Sequence, residues 1–423
     1  MSVHKLPLGQ RIHATLVARG PAAALAAAQD SGHPDLFERI NSVASEDPTP
    51  SFLHSALCAM SLPVRRPADE TRPILRQDGQ YTLAITPRPV LRPVDGQQQL
   101  CVLGVPYGSL PRLILIHVMT EAVRTRSRQI ALGTSFTDWM RRMGHRTVSY
   151  GPRGSATLVR QQLDRLLACE WMIRWDGTDR NGGHEFAIKE IKLTNQYAGT
   201  DGVGGSYLRE ILLTESFYDH LREHAVPLNE HAIRELRESA TALDLYTWLA
   251  YRLPRVSARC PTTLSWQQLA GHFGNEGTNI HKFRQTVRDA WERHVSGVYP
   301  EARAEFDTTL VRLHASPPPL QRRLVAGVTL VPPAPATDDR GTPELPADAG
   351  AVFLAALRMR LGTVEARVWL AEAAMEPAAD GWALVLPSTF KADWLRLHQP
   401  DALEHARLAA GLAQAPAVLS RPR

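Results

Sequence analysis

The side chains in this chain best suited to chemistry are arginines and amides, and what they suit is contact with nucleic acid. Arg124, Arg126 and Arg128 alternate with Thr125 and Ser127 at the end of an apolar run, which sets three cations where a phosphate backbone could be met. Further on, Val159, Leu163, Leu166 and Leu167 fall at i, i+4, i+7 and i+8 and share one helical face. The opposite face collects Thr157, Arg160, Gln161, Asp164 and Arg165, with Arg153 just ahead. Arg and Gln grip a base edge in bidentate fashion, while Thr and flanking Arg suit phosphates. A second stretch repeats the arrangement. Ile280, Phe283, Val287 and Trp291 lie within about one face of a helix predicted over 278–295, and Thr278, His281, Lys282, Gln285, Arg288 and Arg293 lie opposite. Asp289 and Glu292 share that side and dilute its positive charge.

Other chemistry finds no foothold. The histidine pairs closest to a metal spacing, His220/His224 and His272/His281, lack acidic partners and read as packing or surface residues. Cys58, Cys101, Cys169 and Cys260 are isolated and read as buried free thiols of a reducing cytoplasm. No Ser-His-Asp set, carboxylate pair, or tyrosine beside a His-x-His cluster stands out. The glycines of 199–205 lack the trailing Gly-Lys-Ser/Thr of a phosphate loop. The expectation is a protein that is not an enzyme and uses no cofactor or metal. No apolar run approaches 20 residues, and the alanines of 22–28 lack a signal-peptide layout, so no membrane is expected either. The net charge of +5 rests almost wholly on arginine, since only five lysines occur; arginine is the better fork for guanine and phosphate.

These residues need elements to hold them. The apolar run 110–123, with Pro111 in its first turn, predicts a buried helix. A short strand over 129–132, a helix over 136–143 and a helix over 155–168 follow. Strand-like 171–175 and 184–193 then flank a turn-rich tip. Helix, strand, helix, helix and hairpin is the order of a winged helix, with its wing at 171–193. Helices over 215–221 and 229–252, a short helix over 264–273, the helix over 278–295 and a wing strand at 310–313 give a second one. The first 50 residues are Ala-rich and weakly patterned and predict a weakly ordered lead-in. Residues 52–60 read as a short helix, and 62–66 with 80–86 as a small β element. Prolines crowd 317–347 and predict a semi-extended linker.

The run VPYGSLPRLILIHVMTEAVRTRSRQIALGTSFTDWMRRMG, continuing through GSATLVRQQLDRLL, strongly resembles the plasmid-encoded RepA family of replication initiators. The shared features are the VPYGS-PRL opening, the TEAVRT-SR basic helix end and the LG-S-F second helix. The family's usual Gly-Gly before the third helix reads here as Gly151-Pro152-Arg153-Gly154. The resemblance spans roughly 55–314. It implies tandem winged helices on repeated sites of double-stranded origin DNA, and it leaves open a dimer of the chain with itself.

Beyond the linker, helices are predicted over 349–360 and 363–375, a strand over 382–386, and a turn into a helix over 387–397. The pattern TVEARVW…DGWALVLPSTFKADWL resembles the N-terminal domain of the chromosomal replication initiator DnaA, a small KH-like α/β fold. That resemblance implies contact with the replicative helicase through the positions of Glu365 and Phe390; Trp369 and Trp394 read as core. The combined reading is a mainly α protein with small β elements. Its parts are a lead-in over 1–50, winged helices over 51–200 and 201–316, a linker over 317–347 and a module over 348–423. The function that follows is a cytoplasmic, plasmid-associated replication initiator. The runner-up is a winged-helix regulator repressing its own gene, which would have no use for the C-terminal module.

Overall fold

A computed structural model describes residues 6–94, 96–132, 135–144, 147–178, 184–200, 207–274, 279–320, 349–361, 366, 370, 373–378, 381–386, 392, 395–396 and 399–420. About half of the chain is helical and about a quarter is strand, in small sheets. The fold is therefore mixed α/β, with more strand than a mainly α reading allows. The chain divides into two compact units, Met1–Arg174 with Ile188–Val328, and Trp175–Ala187 with Thr329–Arg423.

The larger unit is built around two apolar helices. Ser109–Thr125 buries nearly every residue from Pro111 to Val123, and Ala240–Arg252 buries all of its first eleven. Such all-round burial explains why neither shows a polar stripe. Each helix leads into the same succession of elements. After Ser109–Thr125 come strand Gln129–Ala131, helix Phe136–Arg142 and helix Ser155–Ala168, with strands Thr194–Thr200 and Tyr207–Leu213 later. After Ala240–Arg252 come strand Thr262–Ser265, helices Trp266–Phe273 and Ile280–Ala290, and strands Ala304–Phe306 and Leu310–Leu313. In both sheets the last strand lies in the middle, between the first and the second, and every pairing is antiparallel.

The strands expected at 171–193 form next to one another but belong to a different sheet. Cys169–Thr178 and His184–Ile191 do form strands, but they extend a sheet begun by Ile74–Asp78 and Tyr81–Pro87. The partner of Gln129–Ala131 is Tyr207–Leu213, and Gly199 and Thr200 of the glycine-rich stretch end the strand on its other side. Residues 201–206 themselves are outside the described residues. Residues 52–60 are also not one helix: Pro50–His54 is a strand paired with Ala225–Asn229, and only Ser55–Ala59 is helical. Phe52 and Leu53 are buried there, as β-favouring side chains on a covered strand should be. Residues 62–66 form no strand.

Residues 8–45 are largely helical, against expectation. Leu8–Arg19, Pro21–Asp30 and Pro34–Ser45 are helices closing on Ile12, Ala24, Ala28, Leu36 and Ile40. The core is small, and alanine supplies much of it, so its periodicity has little contrast. Proline stands in the first turn of the second and third helices, where its missing N–H costs nothing.

The two copies share one core. Arg112 on the first apolar helix and Asp244 on the second are both buried and form a bidentate pair, Nε to Oδ1 at 2.6 Å and Nη2 to Oδ2 at 2.7 Å. The Ser61 hydroxyl donates to Asp244 at 2.9 Å, and Arg112 also donates to the Leu62 carbonyl at 2.6 Å. Arg76 donates to the Ser61 carbonyl at 2.7 Å, and its burial lowers its pKa to about 10. A buried charge pair is tolerable only when its remaining valences are met, and here carbonyls and a hydroxyl meet them. Ser61 N–H also reaches the His272 carbonyl at 3.1 Å. The winged-helix regions expected as separate domains thus pack as one body.

In the smaller unit, helices Ala349–Leu361 and Pro400–Ala409 cover a three-stranded sheet. Gly381–Leu386 is central, antiparallel to Ala374–Ala378 and parallel to Ala417–Ser420. Phe353, Leu357, Leu384 and Leu386 are fully buried between them. Glu365, Trp369, Phe390 and Trp394 lie outside the described residues.

Candidate nucleic-acid interface

Helix Ser155–Ala168 has the bounds its sequence predicts, because its apolar face has a place to go: Val159, Leu163, Leu166 and Leu167 are all buried. Its start is shaped by the preceding loop. Ser149 and Ser155 exchange backbone-to-hydroxyl bonds at 3.1 and 3.0 Å, and the Thr157 hydroxyl donates to the Gly151 carbonyl at 2.6 Å. Gly154 is required at this start, since a Cβ there would stand 2.5 Å from the Ser149 carbonyl oxygen.

The face opposite the core is less open than its sequence implies. Arg165 is half-buried, pairs with Glu70, donates to the Val105 carbonyl at 3.1 Å and lies over the Tyr107 ring at 5.1 Å. Asp164 is paired with Arg92 at 2.8 Å, and Arg160 is half-buried with its guanidinium 4.7 Å from the Phe136 ring centroid. Arg153 and Gln161 are exposed, with no side-chain hydrogen bond or ion pair among the described residues. Leu158 and Tyr150 are exposed on the same region.

The three alternating arginines are partly occupied as well. Arg124 donates to the Pro50 carbonyl at 3.1 Å and to Glu230 at 2.9 Å. Arg128 stands 3.6 Å from Glu215. Arg126 is exposed and caps the helix in the left-handed region at φ 52°, which turns the chain sharply into Gln129–Ala131.

Helix Ile280–Ala290 presents the more open face. Asn279 caps it through the Lys282 N–H at 3.1 Å. Val287 and Ala290 are buried, and Phe283 meets Trp266 and Phe273 edge-on or tilted at about 6 Å between rings. His281, Lys282, Gln285 and Arg288 are exposed, and their side chains make no hydrogen bond or ion pair among the described residues. Thr278 lies outside the described residues. Arg284, which sequence reasoning passed over, donates to the Thr308 carbonyl at 2.5 Å and ties the helix to the loop between the last two strands. The helix ends earlier than predicted: at Trp291–Val295 it becomes a π-helical turn.

No group of three metal-binding side chains occurs among the described residues. His220 stacks on buried His54 with ring centroids 4.8 Å apart, and His224 meets His54 edge-on at 6.1 Å and His220 at a tilt at 4.2 Å. His54 Nδ1 accepts from the Ala56 N–H and its Nε2 lies 2.6 Å from His220 Nδ1, a packing role that matches the sequence reading. The cysteines are all free, but only Cys58 and Cys169 are buried, and Cys260 is exposed. Burial pushes the Cys169 thiol up to about 12, so it stays protonated and inert. No described helix is long and apolar enough to cross a membrane.

A helix–strand–helix–helix order closed by two antiparallel strands thus occurs twice, each time with exposed polar side chains on the last helix. Residues 105–268 match the family model described as plasmid-encoded RepA protein. The match covers less than half of the chain, takes in all of the first copy and ends inside the second. No curated protein matches the sequence. A solved structure of domains 2 and 3 of RctB, as selenomethionine derivatives, aligns with 62% of this chain and 98% of that one at 11% identity and a TM-score of 0.38. A likeness of that size defines neither fold nor function.

Proposed function

We propose that the chain is a plasmid replication initiator that binds repeated sites in double-stranded origin DNA through two winged helices, with Ser155–Ala168 and Ile280–Ala290 as the reading helices. The observation that carries this is the recurrence of one element order with one strand order, the first copy of it inside the segment similar to plasmid RepA. Gln161 and Gln285 are the base readers, because each is exposed, uncharged and able to form two bonds to adenine. Arg126, Arg153, His281, Lys282 and Arg288 meet phosphates. Arg124, Arg128, Thr157 and Arg160 shape the surface from their intramolecular contacts, and Thr278 joins the DNA-contacting set. In this reading the first winged helix runs on to Leu213, with its wing between Thr194–Thr200 and Tyr207–Leu213.

The smaller unit is the delivery module. Residues 317–347 tether it, and its two helices on a mixed sheet suit the KH-like fold of the DnaA N-terminal domain. Glu365 and Phe390 contact the replicative helicase in this scheme, and the protein works in the cytoplasm on its plasmid. Footprinting of the full chain on the DNA flanking its own gene tests the DNA half. Truncation near Pro333 tests the other half, since it leaves the footprint intact and abolishes helicase retention. A footprint lost on truncation, or helicase retained after it, contradicts the scheme.

A further inference from the structure

We infer that the N-terminal three-helix bundle, Leu8–Ser45, is a brace that sets the direction of helix Ile280–Ala290, with Arg39 as its positioning residue. This rests on the reading of that helix as a DNA reader and adds the part that holds it in line. A π-helical turn widens the backbone and shifts the helix axis, so whatever holds Trp291–Val295 decides where the preceding helix points. The bundle holds it at consecutive residues. Leu8 N–H donates to Glu292 Oε2 at 2.9 Å. Arg39 Nη1 donates to the Arg293 carbonyl at 2.8 Å and to His294 Nδ1 at 2.9 Å.

One turn on, Gly9 and Gly297 meet so closely that a Cβ on Gly9 would stand 2.5 Å from the Gly297 nitrogen, and one on Gly297 would stand 2.7 Å from Ile40. Buried Gln10 then donates to the Pro300 and Ala302 carbonyls at 3.1 and 2.6 Å. Five hydrogen bonds and two close packing contacts from two bundle helices thus fall on residues 292–302, all beyond the exposed side chains of the reader. Through these contacts the bundle acts on how that helix is presented. The groups facing His294 are Arg39, Asp35, Arg293 and Asp289, and burial with Arg39 keeps the imidazole neutral and able to accept.

The test uses the full chain and the duplex it protects in the DNA flanking its own gene. Lys282→Ala/Arg288→Ala shortens the footprint at one edge and marks the end read by the second helix. Arg39→Met is expected to weaken binding about tenfold, shorten the footprint at that same edge and leave the other edge unchanged. Arg39→Lys, which still donates to the Arg293 carbonyl, restores the edge. Gln10→Leu gives the same one-sided change more weakly and serves if Arg39→Met does not fold. A full footprint with wild-type affinity for folded Arg39→Met and Gln10→Leu overturns the brace while the DNA reading stands. A footprint indifferent to Lys282→Ala/Arg288→Ala overturns both.

Discussion

The two copies of the helix and sheet arrangement differ in what they do with their polar side chains. In the first, much of the charge on the outward face is spent on the protein itself: Arg165 on Glu70, Asp164 on Arg92, Arg160 over Phe136 and Arg124 on Glu230. In the second, His281, Lys282, Gln285 and Arg288 stand in solvent and the helix is held by its aromatic underside. A helical wheel treats the two faces alike. Packing does not, because Glu70 and Arg92 reach the outward face of the first copy's last helix, while the bundle's hydrogen bonds to the second copy fall on residues 292–302, beyond its outward face. An arginine on a predicted reading face is therefore a reader only if nothing nearer claims it.

The largest effect expected is on the joint between the copies. Arg112→Ala leaves Asp244 buried without its cation and costs about 3–5 kcal/mol, measured by urea denaturation. Both copies should unfold in one transition if they share a core; two separate transitions would break that view.

Acid should weaken the shared core through His117. Burial, with repulsion from Arg124 and Arg142, holds His117 at about 4. A histidine with a lowered folded pKa stays neutral in the fold. Its contribution is intact above about 6.5 and is lost as pH falls from there towards 4. The full loss is about 3 kcal/mol, and His117→Gln should flatten the fall in thermal midpoint over that window. An unchanged slope would remove His117 as the cause.

The copies should also differ in salt dependence. Lys282→Ala/Arg288→Ala removes two phosphate contacts and lowers the slope of log affinity against log salt by about 2. Arg160→Ala should instead cost about 0.5–2 kcal/mol of stability through the lost ring contact and leave that slope nearly unchanged. Equal slopes for the two variants would erase the distinction between the faces.

The sequence made the helices of the larger unit legible where an amphipathic face meets a large core, as at Ser155–Ala168, whose ends are the predicted ones. It did not show which strands pair, because strand partners are chosen at long range. Gln129–Ala131 pairs with residues some eighty positions on, while a nearer and equally strand-like pair, Cys169–Thr178 and His184–Ile191, joins another sheet. It missed the N-terminal bundle because alanine and two glycines make close helix contacts without a strong hydrophobic pattern. Free and occupied arginines look alike in sequence, since Glu70, Arg92 and Phe136 lie tens of residues from the side chains they claim.

The central claim, two reading helices on one duplex, is tested most directly by hydroxyl-radical footprinting of the full chain beside Gln161→Ala and Gln285→Ala. The account predicts two protected half-sites, with Gln161→Ala weakening one and Gln285→Ala the other, each by roughly 1–3 kcal/mol. A single protected patch that responds to only one of the two substitutions would contradict it.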